Sequence, residues 1–390
     1  MTTCREQKVE EIRSTSWTAN LGPEIHFGCG VFDRIGALLE KTGKKRFLIV
    51  CGSSAVKNGW VETLKNSTKG FAESLCVYSK ISQDPSAQNL KEIIETLRSD
   101  NCDGVIGLGG GSPMDAAKAA SVIAPSSKPL EDYLSGKEKN FSQKIFSIAI
   151  PTTAGTGAEL SQGAIITWEE KAQKVGVRGS LVKPDLAVVD PRLTLSVPKR
   201  STQITGFDVF THAVETYISK KSNPIVETFS RQAIRGVARY LPRVLKDLDN
   251  LNARTQMSYY SMLMGYNLAN SSTCLPHRLQ YPLGVKTQTE HAFGLAALYP
   301  SWVKTTHGSS PEKFQAISQI LSDELGVADE GIEFTLKEFL KTIGLEPNLS
   351  SMDLTEADAK ELASLVSGSL DNDPWWSEGK DLVSIYTQAL

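Results

Sequence analysis

Through the first half of the chain, short apolar runs alternate with stretches whose apolar residues recur every three or four positions. Residues 46–51 (RFLIVC), 75–78, 105–108 and 145–150 read as buried strands. Residues 56–64, 89–98 and 113–124 read as the intervening helices; in the second, Leu90, Ile93, Ile94 and Leu97 share one face. Shorter extended runs lie at 164–167, 174–178 and 186–189. Such alternation predicts a parallel sheet with helices on its faces. After Asp190-Pro191 helical spacing takes over: Phe229, Ile234, Val237, Leu241, Val244 and Leu248 trace one face, and Phe314, Ile317, Leu321 and Leu325 another. Thr355-Glu356-Ala357-Asp358 reads as a capping box opening a helix with Leu362, Leu365 and Val366. A chain of 390 residues exceeds what one core usually serves. The expectation is an α/β domain over 1–195, an all-α domain over 196–390, and a site in the cleft between them.

Composition narrows the function classes. Apolar residues make up 40% and charged residues 22%, with a net charge of −2 and no basic block, which argues against nucleic acid and anionic membrane as partners. Residues 1–20 are polar, without the apolar stretch of a signal peptide, and no run is long enough to span a bilayer. The six cysteines are scattered and form no Cys-x-x-Cys pair, as expected for reduced thiols in the cytoplasm.

Two loops carry candidate chemistry. Gly107-Leu108-Gly109-Gly110-Gly111-Ser112-Pro113-Met114-Asp115 runs from a buried strand into a helix. Ser112 is placed to be the N-cap, Pro113 the first helical residue and Asp115 the closing member of a capping box. Glycines admit a ligand close to the backbone, and free N–H groups at a helix start favour a diphosphate. The simpler reading is a tight turn with no ligand. The second loop, Pro151-Thr152-Thr153-Ala154-Gly155-Thr156-Gly157-Ala158-Glu159, also follows a strand and is rich in hydroxyls. Two such loops at strand ends are what an open α/β sheet needs to hold a dinucleotide.

Asp208 and His212 stand four apart in a helical stretch, so both side chains share a face. His277 and His291 follow in the helical half. Three imidazoles and a carboxylate suit Fe(II) or Zn(II) with positions left for a substrate oxygen. A plain ion pair is the competing reading for Asp208 and His212. His26 and His307 have no partner spacing, and His26 reads as a strand or packing residue.

With these motifs in view, the chain resembles the iron-containing (group III) alcohol dehydrogenase family. The resemblance covers His26-Phe27-Gly28-Cys29-Gly30, GGGSPMDAAKA, PTTAGTGAE, PDLAVVDP from Pro184, GFDVFTHAVETY and the stretch from His277 to His291, in the family's order and spacing. It implies the two-domain fold of dehydroquinate synthases and iron alcohol dehydrogenases, and a homodimer or larger assembly. It implies that Asp208, His212, His277 and His291 hold the metal. Gly109, Gly110, Gly111, Ser112 and Asp115 would border the pyrophosphate and ribose, Thr152, Thr153 and Thr156 would line the cofactor cleft, and Lys174 matches a lysine that touches the cofactor. Ser112-Pro113 together with His291 points to the alcohol dehydrogenase branch. Two departures stand out. A second histidine, often assigned to proton relay, is replaced by Tyr281, and the glycine after the last ligand is Ala292.

Relatives that prefer NADH place an aspartate where this chain has Gly52, followed by Ser53 and Ser54 with Lys57 nearby. A carboxylate there bonds the ribose hydroxyls and repels a 2′-phosphate, so its replacement favours NADP(H), with NAD(H) the alternative. Arg278 adjoins ligand His277 and would suit an anionic substrate group; the bland reading is a salt bridge or an outward-facing arginine. Trp375-Trp376 would either shape the pocket wall or pack in the core. The expected activity is interconversion of an alcohol and an aldehyde, in the direction of aldehyde reduction. The competing readings are a glycerol-type polyol dehydrogenase, a same-fold lyase or synthase, and a non-redox metal-binding protein.

Overall fold

The structure is a computed structural model that describes residues 16–81 and 83–390. The reading of 1–20 as leaderless thus falls, for residues 1–15 and with them Cys4, outside the described residues.

Among the described residues eight strands form: β1 (Glu24–Phe27), β2 (Arg46–Cys51), β3 (Ser74–Tyr78), β4 (Gly104–Gly109), β5 (Phe146–Pro151), β6 (Gly163–Trp168), β7 (Gln173–Arg178) and β8 (Leu186–Val189). Six of them make a parallel sheet in the order β1-β8-β5-β4-β2-β3, while β6 and β7 pair as an antiparallel hairpin. Parallel sheets are covered on both faces, which is why β2, β4 and β5 appear in the sequence as unbroken apolar runs rather than alternating ones. From Lys199 onward, no strand occurs among the described residues, and long helices pack around Phe207, Phe210, Tyr299, Trp302 and Phe339, all buried. No described helix is long and apolar enough to cross a membrane. The five cysteines among the described residues are free thiols.

Three expectations need correction. The helix predicted over 56–64 is two helices, Ser53–Lys57 and Trp60–Thr68. They are parted at Asn58-Gly59, where Gly59 takes a left-handed φ of 76° that ends the first and opens the second. The helix after the glycines runs Gly111–Ile123 with Gly110 as N-cap, two residues earlier than Ser112 was expected to cap it. Ser112 and Pro113 lie inside the first turn, and no side chain caps this end. The Ser112 hydroxyl instead accepts from the Asp84 N–H, and Asp115 accepts from the Ile165 N–H of β6 and pairs with Lys118 at 2.9 Å, so there is no capping box here. The helix expected to include Val366 runs Glu356–Leu365 and ends there, with Val366 extended and Leu365 exposed; the capping box at Thr355 and Asp358 does form.

One contact ties the sheet to the helices. The loop after β5 crosses the helix Leu251–Asn270 backbone to backbone. A Cβ on Gly157 would stand 2.4 Å from the Gly265 nitrogen, and Gly157 has φ +62°. Both positions need glycine, because any side chain would push the sheet edge off the helix. Gly157→Ala is expected to cost at least about 2 kcal/mol in urea unfolding. Gly308→Ala, in open space, should change stability by less than about 0.5 kcal/mol.

Candidate active site

The carboxyl ends of β2, β4 and β5, neighbours in the sheet, carry the three small-residue loops. Gly109 faces Pro151 in register, and the Thr152 N–H donates to the Gly109 carbonyl at 2.8 Å. Thr153 and Thr156 lie directly over Gly110 and Gly111: a Cβ on Gly110 would sit 3.4 Å from Thr153 Oγ1, and one on Gly111 would sit 2.8 Å from Thr156 Cγ2. The glycine turn and the threonine loop therefore share one edge. The uncapped start of the Gly111–Ile123 helix opens there, leaving N–H donors for an anion. Gly52, Ser53 and Ser54 sit at the end of β2, where a side chain on Gly52 would meet the Ile81 carbonyl at 2.9 Å.

The four expected metal ligands converge. Asp208 and His212 project from one face of the helix Lys199–Ile218, His277 from Leu275–Thr287, and His291 from the first residue of His291–Thr306. Asp208 Oδ1 lies 3.6 Å from His212 Nε2, 3.8 Å from His277 Nε2 and 4.0 Å from His291 Nε2. His212 Nε2 and His277 Nε2 are 3.0 Å apart. Ligands about 2.1 Å from one ion in a tetrahedral array stand about 3.4 Å apart, which these separations bracket. The ligand atoms of Asp208, His277 and His291 all lie within 4.8 Å of one another, and His212 stands close to both Asp208 and His277. Asp208 Oδ1 is buried and has no hydrogen-bond partner among the described residues. An orphaned carboxylate oxygen facing three imidazoles fits a divalent cation.

Two residues that the sequence reading missed orient this ring. Glu215, fully buried, takes the His277 Nδ1 hydrogen at 2.8 Å, and Gln280 Oε1 lies 2.6 Å from His291 Nδ1. Each leaves Nε2 pointing inward. The signal was available. Glu215 is seven residues after Asp208 and three after His212, on the same helical face, and Gln280 is three after His277.

Burial opposes the charge on Asp208, but the surrounding imidazoles outweigh it and hold the carboxyl well below its usual range. Desolvation pushes His212 and His291 below the ordinary imidazole value, so each offers a lone pair. At His277 burial acts in the same direction, but Glu215 and Asp208 reverse it.

Lys174 of β7 pairs with Asp84 at 2.9 Å and lies near Gln280: a Cβ on Gly284 would be 2.7 Å from Gln280 Nε2 and 3.6 Å from Lys174 Nζ. The hairpin thus reaches over the His277 helix. Tyr281 OH accepts from Arg278 Nη1 at 3.0 Å. Burial would raise the Tyr281 hydroxyl, but the charges of Arg278, Arg178, His277 and Lys174 outweigh it and bring it below its ordinary value. Arg278 corrects both bland expectations: it is neither outward-facing nor paired with a carboxylate among the described residues. His26, a strand residue as expected, pairs with Glu24 at the surface, and Trp375 and Trp376 pack against the helical core.

Sequence comparison meets this geometry end to end. Residues 22–191 match the iron-containing alcohol dehydrogenase model, and 202–390 match that family's C-terminal model. The choline dehydrogenase of Bacillus subtilis (strain 168) is 30% identical over 364 residues, covering 91% of this chain and 90% of that protein. The chain belongs to the iron-containing alcohol dehydrogenase family. It is therefore a nicotinamide-dependent oxidoreductase of alcohols and aldehydes, and the family implies iron. Among solved structures of the family, a 1,3-propanediol oxidoreductase is similar at a TM-score of 0.89 and 26% identity, covering 96% of this chain and 100% of that one. The sulfoacetaldehyde reductase of Bifidobacterium kashiwanohense, solved with NAD+, is similar at 0.86 and 26%, covering 95% and 98%.

Glu215→Ala should lower Fe(II) affinity about 10- to 100-fold, read by metal titration under anaerobic conditions. Unchanged affinity would remove Glu215 from the site.

Proposed function

We propose that the protein is an aldehyde reductase that uses NADPH to convert a short-chain aldehyde to its alcohol. It would work in the cytoplasm as a homodimer or larger assembly, with Fe(II), or Zn(II), held by Asp208, His212, His277 and His291. The observation that carries the reading is the unpartnered Asp208 Oδ1 facing three imidazoles. When bound, the ion supplies Lewis acidity toward a substrate oxygen and the reduced nicotinamide supplies hydride.

The chain's own residues do the rest. Gly109, Gly110, Gly111 and Ser112 present backbone donors at the uncapped helix start to the pyrophosphate. Thr152, Thr153 and Thr156 close the other side of the cofactor groove. Asp115 supports the β6–β7 hairpin through its bond to Ile165, and so acts on the groove from behind. Lys174, on the same hairpin, would touch the cofactor. Tyr281 accepts from Arg278, which leaves its own hydroxyl proton free to pass to the substrate oxygen. The positive surroundings of Tyr281 make it a better acid than an ordinary tyrosine, which suits it to replace the family's histidine.

The crowding of Gly52 by the Ile81 carbonyl supports NADP(H). That position has no space for the acid that grips an unphosphorylated ribose, while Ser53, Ser54 and Lys57 remain for a 2′-phosphate.

Fe(II)-loaded protein should oxidise NADPH with short aldehydes at a kcat/KM at least about tenfold above that with NADH, and His291→Ala should lose at least about 10²-fold in kcat. A clear NADH preference would overturn the cofactor assignment. Turnover confined to vicinal diols with NAD would favour the polyol reading, and product formation with no net nicotinamide change the lyase or synthase reading.

A further inference from the structure

The named substrates of the three similar proteins, choline, propanediol and sulfoacetaldehyde, carry cationic, neutral and anionic tails. The metal ring cannot distinguish them, so the tail must be read by side chains beside the ring. Arg278 is the outstanding one. It directly follows His277 on the same helix and is only 6% exposed. Nε donates to the Ser369 carbonyl at 3.3 Å and Nη1 to the Tyr281 hydroxyl at 3.0 Å, and the guanidinium lies over the Tyr281 ring at 5.4 Å. These partners are all uncharged, and Nη2 has none among the described residues. A guanidinium has five N–H donors, so most of its hydrogen-bonding capacity is unused.

A buried cation is costly unless a counter-charge meets it. The other buried or half-buried cations near the site have theirs: Lys118 has Asp115, and Lys174 has Asp84. Arg254, also buried, is spread over three neutral oxygens, those of Leu248, Thr202 and Val197. Arg278 has neither a counter-charge nor a full set of oxygens. Arg178 of β7 adds its charge at the same hydroxyl, so positive potential gathers around Tyr281.

We propose that Arg278 is the subsite for an anionic tail, and that the substrate is a short aldehyde bearing a carboxylate, sulfonate or phosphonate. The proposal rests on the aldehyde-reductase reading and deepens it. Tyr281 stands four residues after His277 on the same helical face, and Arg278 bonds its hydroxyl, which brings the guanidinium to the ring side of the helix and puts aldehyde and anion within reach of one another on one small molecule. A planar guanidinium fork matches two oxyanion oxygens. The reaction itself is unchanged: the aldehyde carbon gains the hydride, its oxygen gains a proton, the nicotinamide is oxidised, and the anion keeps its charge.

The test separates binding from turnover. Propanoate, ethanesulfonate and ethylphosphonate, with propanamide as the neutral control, are titrated calorimetrically into metal-loaded protein carrying NADP+. One or more of the anions should bind and propanamide should not. Arg278→Ala should weaken the binding at least about 30-fold and Arg278→Lys less, with unfolding temperature confirming that both fold. In Arg278→Ala, kcat should fall for propanal and acid-bearing aldehydes alike, because Tyr281 loses its donor, while KM should rise at least about tenfold for the acid-bearing aldehydes alone. Binding by none of the anions overturns the proposal. So does anion binding that survives Arg278→Ala, which would place the anion on the metal or on Arg178. If anions bind through Arg278 but no aldehyde of either kind is reduced, the subsite stands and the aldehyde-reductase reading falls.

Discussion

The close approach of Gly157 to Gly265 sets the distance on which this protein's chemistry depends. The loop after β5 carries the threonines that face the glycine turn, and two residues beyond Gly155 it lies against the helical half. A nicotinamide held at the sheet edge and a substrate held at the metal ring must meet at bonding distance. A methyl group inserted at that crossing would part them, and displacements near one ångström are costly to a reaction that depends on alignment. The contact is made of backbone alone, so it has no flexible side chain to take up error.

Against this rigid joint the metal ring is an electrostatic construction. Asp208 is deeply buried, and its charge is tolerable only because three imidazoles face it. Two of those imidazoles are held by outer partners, Glu215 on His277 and Gln280 on His291. The donors come from three helices, so the ring also clamps the helical half together. Tyr281 and Arg278 extend the same helix surface outward from His277, and their mutual hydrogen bond couples the acid that is proposed to supply a proton with the cation that is proposed to hold the substrate's tail.

Much of this was legible in the sequence because it rests on local rules. Apolar runs of four to six residues became the strands of a parallel sheet, and the four-residue spacing of Asp208 and His212 put both on one helical face. The family motifs pointed to the loops and to His277 and His291, which the fold brings beside Asp208. The errors arose where a residue had a distant partner. Ser112 has the chemistry of an N-cap, yet its hydroxyl serves the Asp84 N–H, and Asp115 serves β6 rather than its own helix. Glu215 and Gln280 sit at helical spacings that could have been noticed, but a glutamate or glutamine at such a spacing is usually a solvated one, and only burial shows otherwise.

The sequence by itself determined most of the elements and the family, because periodicity and motif spacing express short-range geometry that holds wherever the chain is placed. The tertiary structure decided which polar groups are left without partners. Asp208 Oδ1 and Arg278 Nη2 look in sequence like any other charged side chain, and both gain their meaning from what does not surround them. That is a property of three-dimensional neighbours brought from helices and strands far apart in the chain, and the desolvation that makes an unpaired charge costly exists only once the chain has folded around it.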